Sequence, residues 1–191
     1  MKGKNALLIG IGVIVLIVLI LIVGTIKNYN EIVAREETVT KSLANVDTYL
    51  QRRADLIPNL VNTVKGYMSH EENIIAEITK ARENLVGAKT IDEKSNANKK
   101  LTDAINNLYV VVENYPDLKA SQNFISLQDE IAGSENRIAT SRKDYNDSVN
   151  SYNAYIKRFP NNLVASMFGF TAKNYFEASE GSNDVPQVSF E

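Results

Sequence analysis

Three features of the 191-residue chain specify an all-α protein, with a single N-terminal transmembrane helix followed by an antiparallel bundle of three to four long, coiled-coil-like helices. Residues 6–26 carry no charge at all. Residues 27–159 are interrupted only by Gly66, Gly87, Gly133, Pro58 and Pro116. Within that stretch apolar residues recur in steps of three, four and seven, and no segment alternates apolar with polar residues as a half-buried strand would.

The first element is the apolar run. Residues 6–23 are Ala, Leu, Ile, Val and Gly without exception. At about 1.5 Å per residue, 6–26 spans roughly 31 Å as a helix, the thickness of a bilayer's hydrocarbon core. A cleaved signal peptide would have a shorter apolar region ending in small residues, whereas this run leaves through Gly24, Thr25, Ile26 and Lys27. Residues 1–5 form a short flank. Lys2 and Lys4 on one side are balanced by Lys27, Arg35 and Lys41 on the other, so basic residues leave the orientation open.

The second element is a long helix with Val39, Leu43, Val46, Leu50, Ile57, Val61, Val64 and Met68 on one face. Pro58 lies within it. Its missing N–H removes one backbone bond, so a bend is expected near Ala54 without loss of the buried face. Ser69 and Glu72 form a capping box that would open the next helix, with Ile74, Ile78, Ala81 and Leu85 inward and Gly87 suited to a left-handed cap. Thr90 and Glu93 form a second capping box. The helix after it buries Ala97, Leu101, Ala104, Leu108, Val111 and Tyr115, and Pro116 stops it.

The last helix has a heptad pattern, with Phe124, Leu127, Ile131, Ser134, Ile138, Ser141, Tyr145, Ser148, Tyr152, Tyr155 and Phe159 spaced by three and four. Its serines would let a neighbouring helix approach closely. Pro160 ends it.

Two topologies follow. If the chain reverses at Gly66, the helices alternate in direction and the tail after Pro160 returns to the bilayer. If Gly66 only bends a continuous rod, the tail is distal. Short connections join antiparallel neighbours, which favours the first.

The stretch 51–61, Gln-Arg-Arg-Ala-Asp-Leu-Ile-Pro-Asn-Leu-Val, continuing through Thr63, Val64, Lys65, Gly66, Tyr67, His70 and Glu71, resembles the signature of the LemA family. Tyr115 to Leu118, Phe124, Leu127, Glu135 to Ile138, Arg142, Tyr145 with Asn146, Tyr152 with Asn153, and Phe159 with Pro160 are similar to that family's later blocks. Met68 departs from it, an alanine being common there. The resemblance implies a single-pass protein of the cell membrane, with the N terminus outside and a coiled-coil-like helical domain in the cytoplasm. Some relatives are linked with bacterial magnetosome membranes. The resemblance supplies no catalytic residue.

Few residues suggest chemistry. The chain has 21 basic and 23 acidic residues and no basic field that would hold nucleic acid through its phosphates. Without cysteine it has no disulfide, thiolate metal site or thiol nucleophile. His70 is the one histidine, so a metal site with two histidines cannot form within one chain. It fits a polar loop beside a helix cap.

Four positions stand out on the helices. Arg53 falls on the buried stripe of the first bundle helix and needs a carboxylate, for which Glu135 is the candidate, unless it snorkels to solvent. Asp55 with Arg52, and Glu135 with Arg137 and Arg142, match helix-surface pairs better than an acid/base cluster. Pro58 marks the bend. In the tail, 160–191, an aromatic group of Phe168, Phe170, Tyr175 and Phe176 with Met167 has three expected destinations: the open end of the bundle, the lipid headgroup level, or a partner. Residues 177–191 have the Gly, Ser, Asn, Asp and Pro of a flexible end.

The expected function is that of a non-enzymatic membrane-anchored scaffold or adaptor without cofactor. Its partners would be the lipid bilayer and other membrane proteins or copies of itself. The alternative is a membrane-anchored sensor in which a ligand in the bundle shifts helix packing and Pro58 relays the change.

Overall fold

The computed structural model describes residues 2–68 and 70–176. The expected Ser69 cap and the flexible end at 177–191 lie outside the described residues. Six helices follow one another: α1 (Lys2–Lys65), α2 (Glu72–Gly87), α3 (Ile91–Val112), α4 (Pro116–Lys119), α5 (Gln122–Lys157) and α6 (Asn161–Phe168). There is no strand among the described residues.

α1 is the one helix among them long and apolar enough to cross a membrane. Its side chains from Ile11 to Val23 and at Ile26 are exposed, although they are the most apolar in the chain. The hydroxyl of Thr25, the one polar side chain in this stretch, donates to the Leu21 carbonyl at 2.9 Å, which satisfies it within its own helix.

The described residues form two compact units, one within 2–41 and 147–173 and the other within 42–146 and 174–176. In the first, α1 and α5 run antiparallel. Arg35 donates to Ser151 at 2.7 Å and stacks on the Tyr155 ring at 4.4 Å, with Glu31 as its ion-pair partner one turn away. Ile32, Val39, Val149, Tyr152 and Ile156 are buried there. α6 follows Pro160, packs Val164 and Ala165 inward, and ends on Gly169, whose φ of 77° only glycine adopts without strain.

In the second unit α1, α2, α3 and α5 form a bundle. Ala54 of α1 meets Arg82 of α2, Asp47 and Arg53 meet Lys94 and Asn98 of α3, and Arg53 meets Glu135 of α5. The two α3 pairings make α3 parallel to α1; Asn107 of α3 reaches back to Glu77 of α2 across the short turn at 88–90, which makes α2 antiparallel to both, and Arg35 with Ser151 and Arg53 with Glu135 make α5 antiparallel to α1. The chain therefore reverses after Lys65, as the first of the two topologies requires. Thr90 and Glu93 form the second capping box: the Glu93 amide donates to the Thr90 hydroxyl at 3.2 Å and the Glu93 carboxylate accepts from the Thr90 amide at 3.0 Å.

Three local expectations need correction, the first at the far end of α2, which opens with Glu71 in the cap position. It closes without a left-handed residue at Gly87: the chain leaves extended at Ala88, whose amide still bonds the Leu85 carbonyl. Pro116 starts a helical turn as well as following α3, because a proline at the first helical position loses no bond. On α5 the buried face keeps Tyr152 but departs from the heptad after Tyr145 by burying Val149 and Ile156 ahead of Ser148 and Tyr155, and Phe159 is 81% exposed beyond the helix end. A straight helix has 3.6 residues per turn, so a 3.5-residue repeat drifts off its face.

Candidate interaction sites

Three sites gather the residues singled out from sequence. The first surrounds Arg53, which is only 2% exposed and so does not snorkel. Its Nη1 donates to Asn98 Oδ1 at 2.6 Å and pairs with Glu135 Oε2. Glu135 is at the bundle edge, its side chain 41% exposed, so one partner is dry and the other reaches water. Burial lowers the Arg53 pKa, opposed chiefly by the charge of Glu135. Burial raises that of the Tyr109 hydroxyl, opposed by Arg53. Since burial at most trims a guanidinium's very high pKa, the group stays charged.

Asn98 was not singled out, although a polar residue between Ala97 and Leu101 on an apolar stripe signals a buried partner. Asp55 is not brought to this cluster; it accepts from Gln51 at 2.8 Å on the exposed side of α1. His70 is exposed in the turn before α2.

The second site is the proline. α1 continues through Pro58 without a break. Pro58 has no N–H for the carbonyl four residues back, which is that of Ala54, and Ala54 is fully buried. Arg82 Nε of α2 donates to this carbonyl at 2.8 Å. The bond lost to proline is thus replaced by one between helices, and the proline becomes a docking point for α2.

The third site is the tail. Two asparagines seven residues apart on α5 each clasp one tail residue by both backbone groups. Asn153 accepts from the Lys173 amide at 2.8 Å and donates to its carbonyl at 2.9 Å. Asn146 does the same for Phe176, at 2.8 and 2.9 Å. The amide side chains act as short pieces of neighbouring strand.

Lys173 pairs with Glu36 and lies 5.7 Å over the Tyr152 ring. Phe176 is buried edge-on against Tyr145 at 5.8 Å, under Arg142 at 5.0 Å. The Tyr145 hydroxyl donates to the Asn174 carbonyl at 2.8 Å. Phe168 and Phe170 meet Tyr29 of α1 at 4.8 and 5.6 Å between ring centres, three residues past the apolar stretch. Tyr175 remains largely exposed. The tail thus folds back along the helices, and its aromatic group divides between buried and exposed positions.

A helical bundle whose first helix extends into a long, exposed, apolar segment defines the class of protein. The model of the LemA family matches residues 42–190, and the chain belongs to that family. It is 26% identical to magnetosome protein MamQ 2 of Paramagnetospirillum magneticum (strain AMB-1), over 92% of this chain and 74% of the relative. With magnetosome protein MamQ of Magnetospirillum gryphiswaldense it shares 23% identity, covering 98% of this chain and 78% of the relative. With protein LemA of Metamycoplasma hominis it shares 28%, covering 79% and 69%.

Proposed function

We propose that the protein is a membrane-anchored helical scaffold that acts through protein–protein contacts, with residues 6–26 as its single span and the helical domain in the cytoplasm. The observation that carries this reading is where the buried polar groups are spent. Arg53, Asn98 and Glu135 hold three helices together, Arg82 repairs the backbone gap at Pro58, and Asn146 and Asn153 clasp the tail. Each fixes a packing arrangement, which is what a scaffold needs and a reaction centre does not. The related MamQ proteins carry the name of an assembly, the magnetosome, and not of a reaction.

Site-specific photocrosslinking in native membranes tests it. Crosslinkers placed at the exposed positions Tyr67, Val86 and Val110 should give discrete protein adducts, at one face more than another. Adducts to lipid alone, or none at any position, would contradict a scaffold. Protease treatment of intact cells reads the orientation: a cytoplasmic domain is spared, whereas one outside is digested.

A further inference from the structure

The apolar face left open next to the membrane segment has a definite place in the fold. α5 runs antiparallel to α1 in their shared unit, so its end at Lys157 lies toward the end of the apolar stretch. α6 follows there, and Phe168 at its end touches Tyr29. From 159 to 172 the chain has no charged residue, an interval flanked by Lys157 and Arg158 before it and Lys173 after it.

α6 buries Val164 and Ala165 but leaves Leu163 and Met167, one turn apart, in the open, with Phe159 just before the helix and Phe168 at its end. Phe159 is 81% and Met167 72% exposed, although each is among the bulkier apolar residues of its segment. Lys27, two residues before Tyr29, and Lys157 and Arg158, just before Phe159, are exposed. Apolar side chains beside a span, rimmed by cations, match the headgroup boundary of an anionic bilayer, where aromatic rings and basic side chains collect.

We propose that Phe159 and α6 lie in the interface of the same membrane that α1 crosses, with Phe159, Leu163, Met167 and Phe168 in the upper acyl region. This rests on the reading of 6–26 as a span. It makes the tail a second membrane contact, so that the domain is held at two points and cannot turn freely about α1. The clasp at Lys173 then fixes the register between this contact and α5.

The chain lacks tryptophan, so single-tryptophan variants report without background. The full-length variants Phe159→Trp, Met167→Trp, Leu16→Trp and Tyr67→Trp would be placed in vesicles of phosphatidylcholine and phosphatidylglycerol. Quenching by lipids brominated high on the acyl chain would be compared with quenching by aqueous iodide.

Phe159→Trp and Met167→Trp should lose roughly half their emission to the brominated lipid, as rings about 5–10 Å into the headgroup–acyl boundary do, and resist iodide. Tyr67→Trp should show the reverse. Two results overturn the proposal: iodide quenching of Phe159→Trp equal to that of Tyr67→Trp, or shielding from iodide without lipid quenching, which would mean that protein covers the face. If Leu16→Trp also escapes the brominated lipid, the span itself fails; if Leu16→Trp is quenched, only the tail assignment does.

Discussion

At the level of single residues, stability rests on a few buried charges and carbonyls and the partners that satisfy them. Removing Glu135 strands a dry guanidinium, and stranding a buried charge costs about 3–5 kcal/mol. Asn98 still accepts from Arg53, so Glu135→Leu is expected near the lower end, about 3 kcal/mol. Arg53→Met leaves Asn98 without its donor while Glu135 turns to water, at about 1–2 kcal/mol. In the double variant Arg53→Met with Glu135→Leu the stranded charge is gone, so the two costs should fall short of additive. Denaturant unfolding of the three variants measures this; strict additivity would mean that the pair is not coupled.

Arg82 and Pro58 form a second cycle. Arg82→Met leaves the buried Ala54 carbonyl unsatisfied, worth about 1–3 kcal/mol. Pro58→Ala restores the N–H that this carbonyl would otherwise receive. Arg82→Met should therefore cost clearly less in the Pro58→Ala background, again by denaturant unfolding. An equal cost in both backgrounds would show that Arg82 matters for some other contact.

At the level of elements, the start of α3 depends on pH in a direction set by its cap. The Glu93 carboxylate accepts from the Thr90 and Lys89 amides, at 3.0 and 2.7 Å, and these bonds hold its pKa below the ordinary glutamate value. A carboxyl whose folded pKa is depressed adds stability above its unfolded pKa and loses it as pH falls through the folded one. The Lys89 and Thr90 amides should lose protection from hydrogen exchange as pH drops below the glutamate range, and Glu93→Gln should flatten that dependence. Unchanged pH dependence in Glu93→Gln would assign it to another group.

The tail is a weaker element, because 170–176 has no helix or sheet of its own and borrows two asparagine side chains. Asn146→Ala and Asn153→Ala should raise exchange at Phe176 and Lys173 respectively and leave the middle of α5 protected. Loss of protection throughout α5 would mean that the clasps support the helix and not only the tail.

At the level of the molecule, the features legible in the sequence were those carried by periodicity and by short-range caps. The uncharged run at 6–26, the stripes from Val46 to Val64 and from Leu101 to Leu108, and the Thr90 capping box need only neighbours within a turn or two. Arg53 with Glu135 was legible for a different reason: a charge on an apolar stripe demands a partner. What escaped were bonds between a side chain and a distant backbone group, Arg82 to Ala54 and the two asparagine clasps. A backbone carbonyl or amide has no residue identity, so nothing in the sequence marks the acceptor. Asn146 and Asn153 stood out only through the family resemblance, and their role required the path of the tail. Phe159 was misplaced because small departures from a heptad accumulate along 36 residues of helix.

These scales meet in one claim, that α1 passes from lipid into the bundle as a single helix. Single cysteines in this cysteine-free chain, at Ile11, Leu16, Ile20, Asn30 and Glu37, can be probed in vesicles with a membrane-impermeant maleimide. The account predicts that the first three resist labelling until detergent is added and that the last two label at once. Equal labelling at all five positions in intact vesicles would contradict it.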